Sequence, residues 1–198
     1  RNDNGNETSA SSATGDAEDT ALSSFADNQK KRLRFEISNE GTGSAESYQY
    51  RLEYGAKSTT CAAIASWTDV GAASGDWDMY DSSYFSNADN TTDIDVADGG
   101  VTNENTTFLA SNSAMIDVGS TTPPISLHYE NFLEAEYSIK PNVTSGTYCF
   151  RLTNNGSTTN FDYANSPAQY AEATVTQSNP LLNQRGGIIQ NDENNQKV

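Results

Sequence analysis

Between Lys57 and Lys140 the sequence has no lysine and no arginine, while thirteen carboxylates lie between Asp69 and Glu136. Nucleic-acid binding needs clustered cations that release counterions from phosphate, so this distribution excludes it. No apolar run approaches the length of a membrane span, which excludes insertion by a helix. Histidine occurs once, at His128 beside Tyr129 in a strand-like run, where it reads as a surface or edge residue rather than the base of a triad. No Cys/His cluster has zinc spacing. Gly186-Gly187 has no phosphate-loop context. No segment of ten or more residues holds a helical period. Hydrophobic residues make up 34 % of the chain, below the usual share for a compact globule.

What is present is short-period alternation. In Lys31–Ser38, Leu33, Phe35 and Ile37 fall on one face and Arg32, Arg34 and Glu36 on the other. Tyr48, Tyr50, Leu52 and Tyr54 alternate with Gln49, Arg51 and Glu53. These two runs, separated by the turn Asn39–Gly43, read as an antiparallel pair with solvated charges outside. Ala135, Tyr137 and Ile139 form a third row, and Tyr148, Phe150 and Leu152 a fourth. Asn155-Gly156 is a hairpin signal, and Ala171–Thr176 supplies the last strand. Many short strands with turns between them predict an all-β, antiparallel, immunoglobulin-like sandwich.

The sequence has two cysteines, Cys61 and Cys149. The alternation of residues 147–152 turns Cys149 outward, where a free thiol packs poorly. A bridge pinning the Cys61 loop to the outer face fits better than two free thiols. Chain entropy alone gives such a bridge, closing a loop of about 90 residues, roughly 4–5 kcal/mol before native-state strain is subtracted. It also points to an oxidising, extracytoplasmic compartment.

The sandwich is expected over residues 20–177. Residues 1–19 hold no core-forming side chain and read as an extended polar tail, ordered by lying along a neighbouring subunit. Residues 178–198 read as a second tail, in which Leu181, Leu182, Ile188 and Ile189 have no place in the domain's own alternation. The chain opens at Arg1 rather than Met, which reads as a processed chain or a fragment.

Several phrases carry a family resemblance: Ala17–Leu22, Lys31–Gly41, Tyr50–Tyr54, Thr60-Cys61 with Trp67-Thr68, Asp78–Ser83, and Thr147–Asn154. Over roughly residues 17–176 the chain resembles β-sandwich domains of surface proteins from candidate-phyla-radiation (Patescibacteria) bacteria. The resemblance implies an extracellular, immunoglobulin-like, disulfide-bearing module. It supplies no catalytic residues.

The best ligand candidate is Asp89–Gly99, where Asp89, Asp93, Asp95 and Asp98 offer oxygens for calcium. The same loop also reads as a solvated acidic surface, the plainer of the two readings. Paired carboxylates are abundant, but nothing positive marks a glycosidase. Trp77, Tyr80 and Tyr84 pack in the core or stack on a surface glycan. Five Asn-x-Ser/Thr sequons occur, at Asn6, Asn90, Asn105, Asn142 and Asn155. The function expected is non-catalytic: a cell-surface structural subunit that self-associates into a homopolymer, a filament or layer, by exchanging terminal strands such as 181–190. The alternative is an adhesin or carbohydrate-binding module.

Overall fold

The computed structural model describes residues 1–15, 17–159, 161 and 170–178. Two sheets pack face to face. One has the order β1 (Leu22–Ala26), β12 (Ala171–Thr176), β11 (Gly146–Asn154), β4 (Tyr50–Ala56), β5 (Thr68–Asp69). The other has β2 (Lys31–Ser38), β10 (Asn131–Pro141) and β6 (Trp77–Met79), with β7 (Thr107–Phe108) and β8 (Met115–Ile116) also on β10. A ribbon of β3 (Ala45–Tyr48) and β9 (Ile125–Leu127) lies to one side. The all-β sandwich expected from the alternation is what forms.

The inner faces hold the predicted rows. Tyr50, Leu52, Tyr54, Tyr148, Phe150 and Leu152 are buried from one sheet, Leu133, Ala135, Tyr137 and Ile139 from the other. Leu33, Phe35, Ile37 and Tyr48 pack against this core but are only partly buried. Trp77 is fully buried, with ring centroids of Phe150, Phe25 and Tyr148 at 4.9, 5.1 and 5.6 Å. Such edge-to-face clusters add directional contacts to the area they bury.

Two pairings depart from expectation. β2 and the run 47–54 are not partners: β2 pairs with β10, and β4 with β11 in the opposite sheet. The run is cut at Gln49, and Ser47 has φ +57°, which turns the chain from the β3–β9 ribbon into the far sheet. The second departure is parallel pairing, of β1 with β12 and of β7 and β8 with β10. The Asn155-Gly156 turn forms as predicted, with φ +46° and +95°.

Candidate functional site

The two outer faces of the sandwich carry the unusual chemistry. On β2 and β10 the outward residues are Arg32, Arg34, Glu36, Glu134, Glu136 and Ser138. Period-two alternation puts them there, and sequence alone reads them as solvated. They are not. Arg32, Glu134, Glu136 and Ser138 are fully buried, and the Arg34 side chain is 3 % exposed. The cover comes largely from the first twelve residues and from the acidic middle of the chain. This corrects the expectation that residues 1–19 extend onto a neighbour: residues 1–12 fold back on their own sheet. The physical reason is that the outward arginines and glutamates need partners, and this segment brings charges and free carbonyls.

Arg32 donates to Asp3 Oδ1 (2.8 Å), Glu136 Oε1 (3.1 Å) and the Gly5 carbonyl (2.6 Å). Arg34 bonds Glu134, Glu136 (2.5 Å) and Glu7 (2.9 Å). Arg1 reaches Glu136 (3.2 Å) and the carbonyls of Glu7 and Ala10. Glu7 in turn accepts from the Thr92 N–H (2.8 Å) and hydroxyl (3.1 Å), tying the acidic loop to the same face. A buried ion is tolerable only with geometry this complete, because desolvation costs several kcal/mol per charge.

The protonation equilibria follow. Burial pushes Glu136 up, but the guanidiniums of Arg34, Arg1 and Arg32 outweigh it and hold the carboxyl below its ordinary range. At Glu134 burial wins over Arg34, and the group sits above its usual value. Glu36, half-buried on the same face, is pushed up to about 7 by burial and by the carboxylates of Glu104, Glu134 and Glu18. Its Oε1 accepts the Glu104 N–H at 2.8 Å.

The outer face of β4 and β11 is built differently. Cys149 points outward as expected and is joined to Cys61, with Cα atoms 5.7 Å apart. Cys61 begins a 3-10 turn, Cys61–Ala63, whose loop lies flat on the sheet. Gly55, paired with Cys149, allows this: a Cβ there would meet Ile64 Cγ2 at 2.5 Å. Beside the bridge, Glu53 accepts from Arg51 and Arg151, both at 2.8 Å. Burial raises Glu53, but those hydrogen bonds and charges outweigh it and lower its pKa. The Arg151 guanidinium lies 4.3 Å from the Trp67 ring centroid.

Of the aspartates proposed for calcium, Asp89 is tied through its backbone to Met115 of β8, while Asp93, Asp95 and Asp98 lie in the loop that follows. Thr91 and Ile94 are the buried anchors of their loop, the Thr91 hydroxyl donating to the Glu134 carbonyl at 2.6 Å. Asp89, Asp93, Asp95 and Asp98 are all exposed. Asp89 accepts from the Ser86 N–H (2.8 Å) and Asp93 from the Asn103 amide (3.2 Å). Asp95 precedes, and Asp98 ends, a second 3-10 turn, Val96–Asp98. Among the described residues, the one close grouping of three metal-ligating side chains is Cys61, Cys149 and Glu172, in which the two sulfurs already bond each other.

The aromatic candidates separate. Trp77 belongs to the core, so it offers no stacking surface; Tyr80 lies under the Lys30 ammonium, and Tyr84 is exposed. His128 is exposed and hydrogen-bonds the Ser44 hydroxyl at 2.7 Å on the β3–β9 ribbon. Leu181, Leu182, Ile188 and Ile189 lie outside the described residues. Sequence reasoning missed Asp3 and Glu7, which complete the buried charge cluster. The available signal was three charged residues within seven positions of an otherwise small, polar segment. No protein-family model, curated protein or solved structure matches the chain.

Proposed function

We propose that this chain is a non-catalytic structural module of an extracytoplasmic surface assembly, a filament or layer. The observation that carries the reading is the Cys61–Cys149 bridge across an outer sheet face. A covalent staple there strengthens the module and persists in an oxidising compartment. The second support is the use of outward charge. Most arginines are spent on internal ion pairs, which leaves a surface of net negative charge suited to solubility and to spacing between modules. The resemblance of residues 17–176 to surface-protein sandwich domains points the same way. Copies join through the terminal segment 181–190, which adds to a neighbour's sheet by backbone hydrogen bonding.

Sedimentation and negative-stain microscopy of the full chain test this, beside a chain ending after Gln177. The full chain forms concentration-dependent oligomers and the shortened one stays monomeric and folded. A shortened chain that assembles equally well removes the terminal segment from the reading.

A further inference from the structure

Among the described residues five carboxylates are buried, and four of them are paired with arginine. Glu7, Glu134 and Glu136 bond Arg34, and Glu53 bonds Arg151. The fifth, Asp117, is only 2 % exposed, yet among the described residues no cationic side chain pairs with it. It lies inside the stretch between Lys57 and Lys140, which has no lysine or arginine of its own. Its Oδ2 accepts the Ser82 N–H at 3.1 Å, while Oδ1 is buried with no hydrogen-bond partner among the described residues. An ionised carboxylate offers about four lone-pair positions, and burying it half-used is costly.

The surroundings add negative charge rather than cancel it. Asp117 follows β8, and the loop from Asp81 to Asp89 wraps this strand. The Ala88 N–H donates to the Met115 carbonyl (2.7 Å) and the Met115 N–H to the Asp89 carbonyl (3.0 Å). Asn87 Oδ1 accepts from the N–H groups of Asp117 (3.2 Å) and Val118 (3.1 Å). Burial pushes the Asp117 carboxyl up, the Ser82 N–H pulls it back, and the carboxylates of Asp81 and Asp89 push it up again, leaving it above its usual range. Asp81 and Asp89 are exposed. Val118, the next residue, is 59 % exposed, so the buried oxygen lies just below solvent. We propose that Asp117 anchors a divalent-cation site, with Asp81 and Asp89 as its outer ligands, and that the ion it takes is calcium. The donors are hard oxygens, and residues 81–89 and 115–118 hold no imidazole or thiolate, which favours calcium over zinc. Two of the ligands are surface side chains free to adapt, which suits calcium better than strictly octahedral magnesium. The three carboxylates do not meet at ligand spacing in this conformation, so binding turns Asp81 and Asp89 inward and clamps their loop against β8. The site shares Asp89 with the acidic loop expected from the sequence and leaves out Asp93, Asp95 and Asp98.

Calcium chloride added to the full chain at fixed ionic strength tests this, read by calorimetric titration and by thermal unfolding. A single calcium binds per chain with a dissociation constant on the order of 10⁻⁴–10⁻³ M, the range of extracellular modules. At ten times that constant the unfolding midpoint rises by about 3–5 °C, and magnesium at the same concentration does less. Asp117→Asn, which keeps the side chain's shape, loses the calcium response. Asp81→Asn/Asp89→Asn, altered at exposed positions, weakens binding at least about tenfold. Asp93→Asn/Asp95→Asn/Asp98→Asn binds as the unaltered chain does. No calcium response in the unaltered chain overturns the site. A response kept in Asp117→Asn, or matched by magnesium, is diffuse attraction to a chain of net charge −16 and overturns it too. Loss confined to the Asp93/Asp95/Asp98 variant moves the ion to the neighbouring loop and overturns the assignment. If Asp117→Asn fails to fold, the exposed pair decides: unweakened binding in Asp81→Asn/Asp89→Asn overturns the proposal.

Discussion

The two outer faces of this sandwich are made of the same materials, arginine and glutamate alternating outward from β-strands, yet they solve different problems. On the β4–β11 face the Arg51–Glu53–Arg151 group stays partly open, with the arginine side chains 21 % and 18 % exposed, and the overlying loop is held by a disulfide. On the β2–β10 face the charges are sealed, and the overlying segment is held by the charges themselves. A covalent staple frees the first face from needing perfect polar partners. Without a staple, the second holds its buried arginines by ion pairs and hydrogen bonds, and the N-terminal segment supplies many of those partners. Alternation therefore says which way a side chain points and is silent about what lies beyond it.

Four perturbations sharpen this contrast. The largest effect is expected at the sealed face. Glu136→Ala leaves Arg1, Arg32 and Arg34 facing one another without their shared carboxylate, a loss of about 3–5 kcal/mol measured by urea unfolding. Next is the staple: Cys61→Ser with Cys149→Ser costs roughly 2–4 kcal/mol in the same assay, and reduction of the native chain does the same. The open face responds less. Glu53→Ala costs about 1–2 kcal/mol, because water replaces part of what Arg51 and Arg151 lose. If Glu53→Ala costs as much as Glu136→Ala, the two faces do not differ as argued.

The smallest effect is a pH dependence. Glu36 has a folded-state pKa of about 7, above the ordinary 4.5, so between these values the folded chain binds more protons than the unfolded one. On its account stability rises as pH falls from 7 toward 5. Glu136 and Glu53 are shifted the other way, so their contribution is present above the ordinary carboxylate value and is lost as acid protonates them in the folded state. Thermal unfolding should peak on the mildly acidic side of neutrality, and Glu36→Gln should flatten the slope between pH 5 and pH 7. An unchanged slope in that variant assigns the dependence to other groups.

Much of the fold was legible in the sequence. Period-two runs placed β2, β11 and β12 within a residue or two, found β4 and β10 with their starts about three residues off, and named most of the inner core. The disulfide was legible too, because an outward cysteine in an alternating strand asks for a partner. Pairing was less so. Neighbouring runs suggested a hairpin of β2 with β4, since chain neighbours usually pair, but the left-handed Ser47 sends the chain across to the other sheet. The sealed charge cluster was hidden for a different reason. Its cover is polar and carries no periodicity, so nothing in hydropathy distinguishes it from a solvated tail. Arginine rather than lysine at 32 and 34 was the available hint, because a guanidinium fork suits buried bidentate pairing.

The central claim is that residues 1–12 are a structural part of this sandwich, closing a polar core of their own. Removing them and measuring urea unfolding tests it most directly. The account predicts a loss of at least about 3 kcal/mol, since Arg32, Arg34 and Glu136 all lose partners while still largely desolvated. Stability within about 0.5 kcal/mol of the full chain, the ordinary range for changes at an exposed surface, would contradict it.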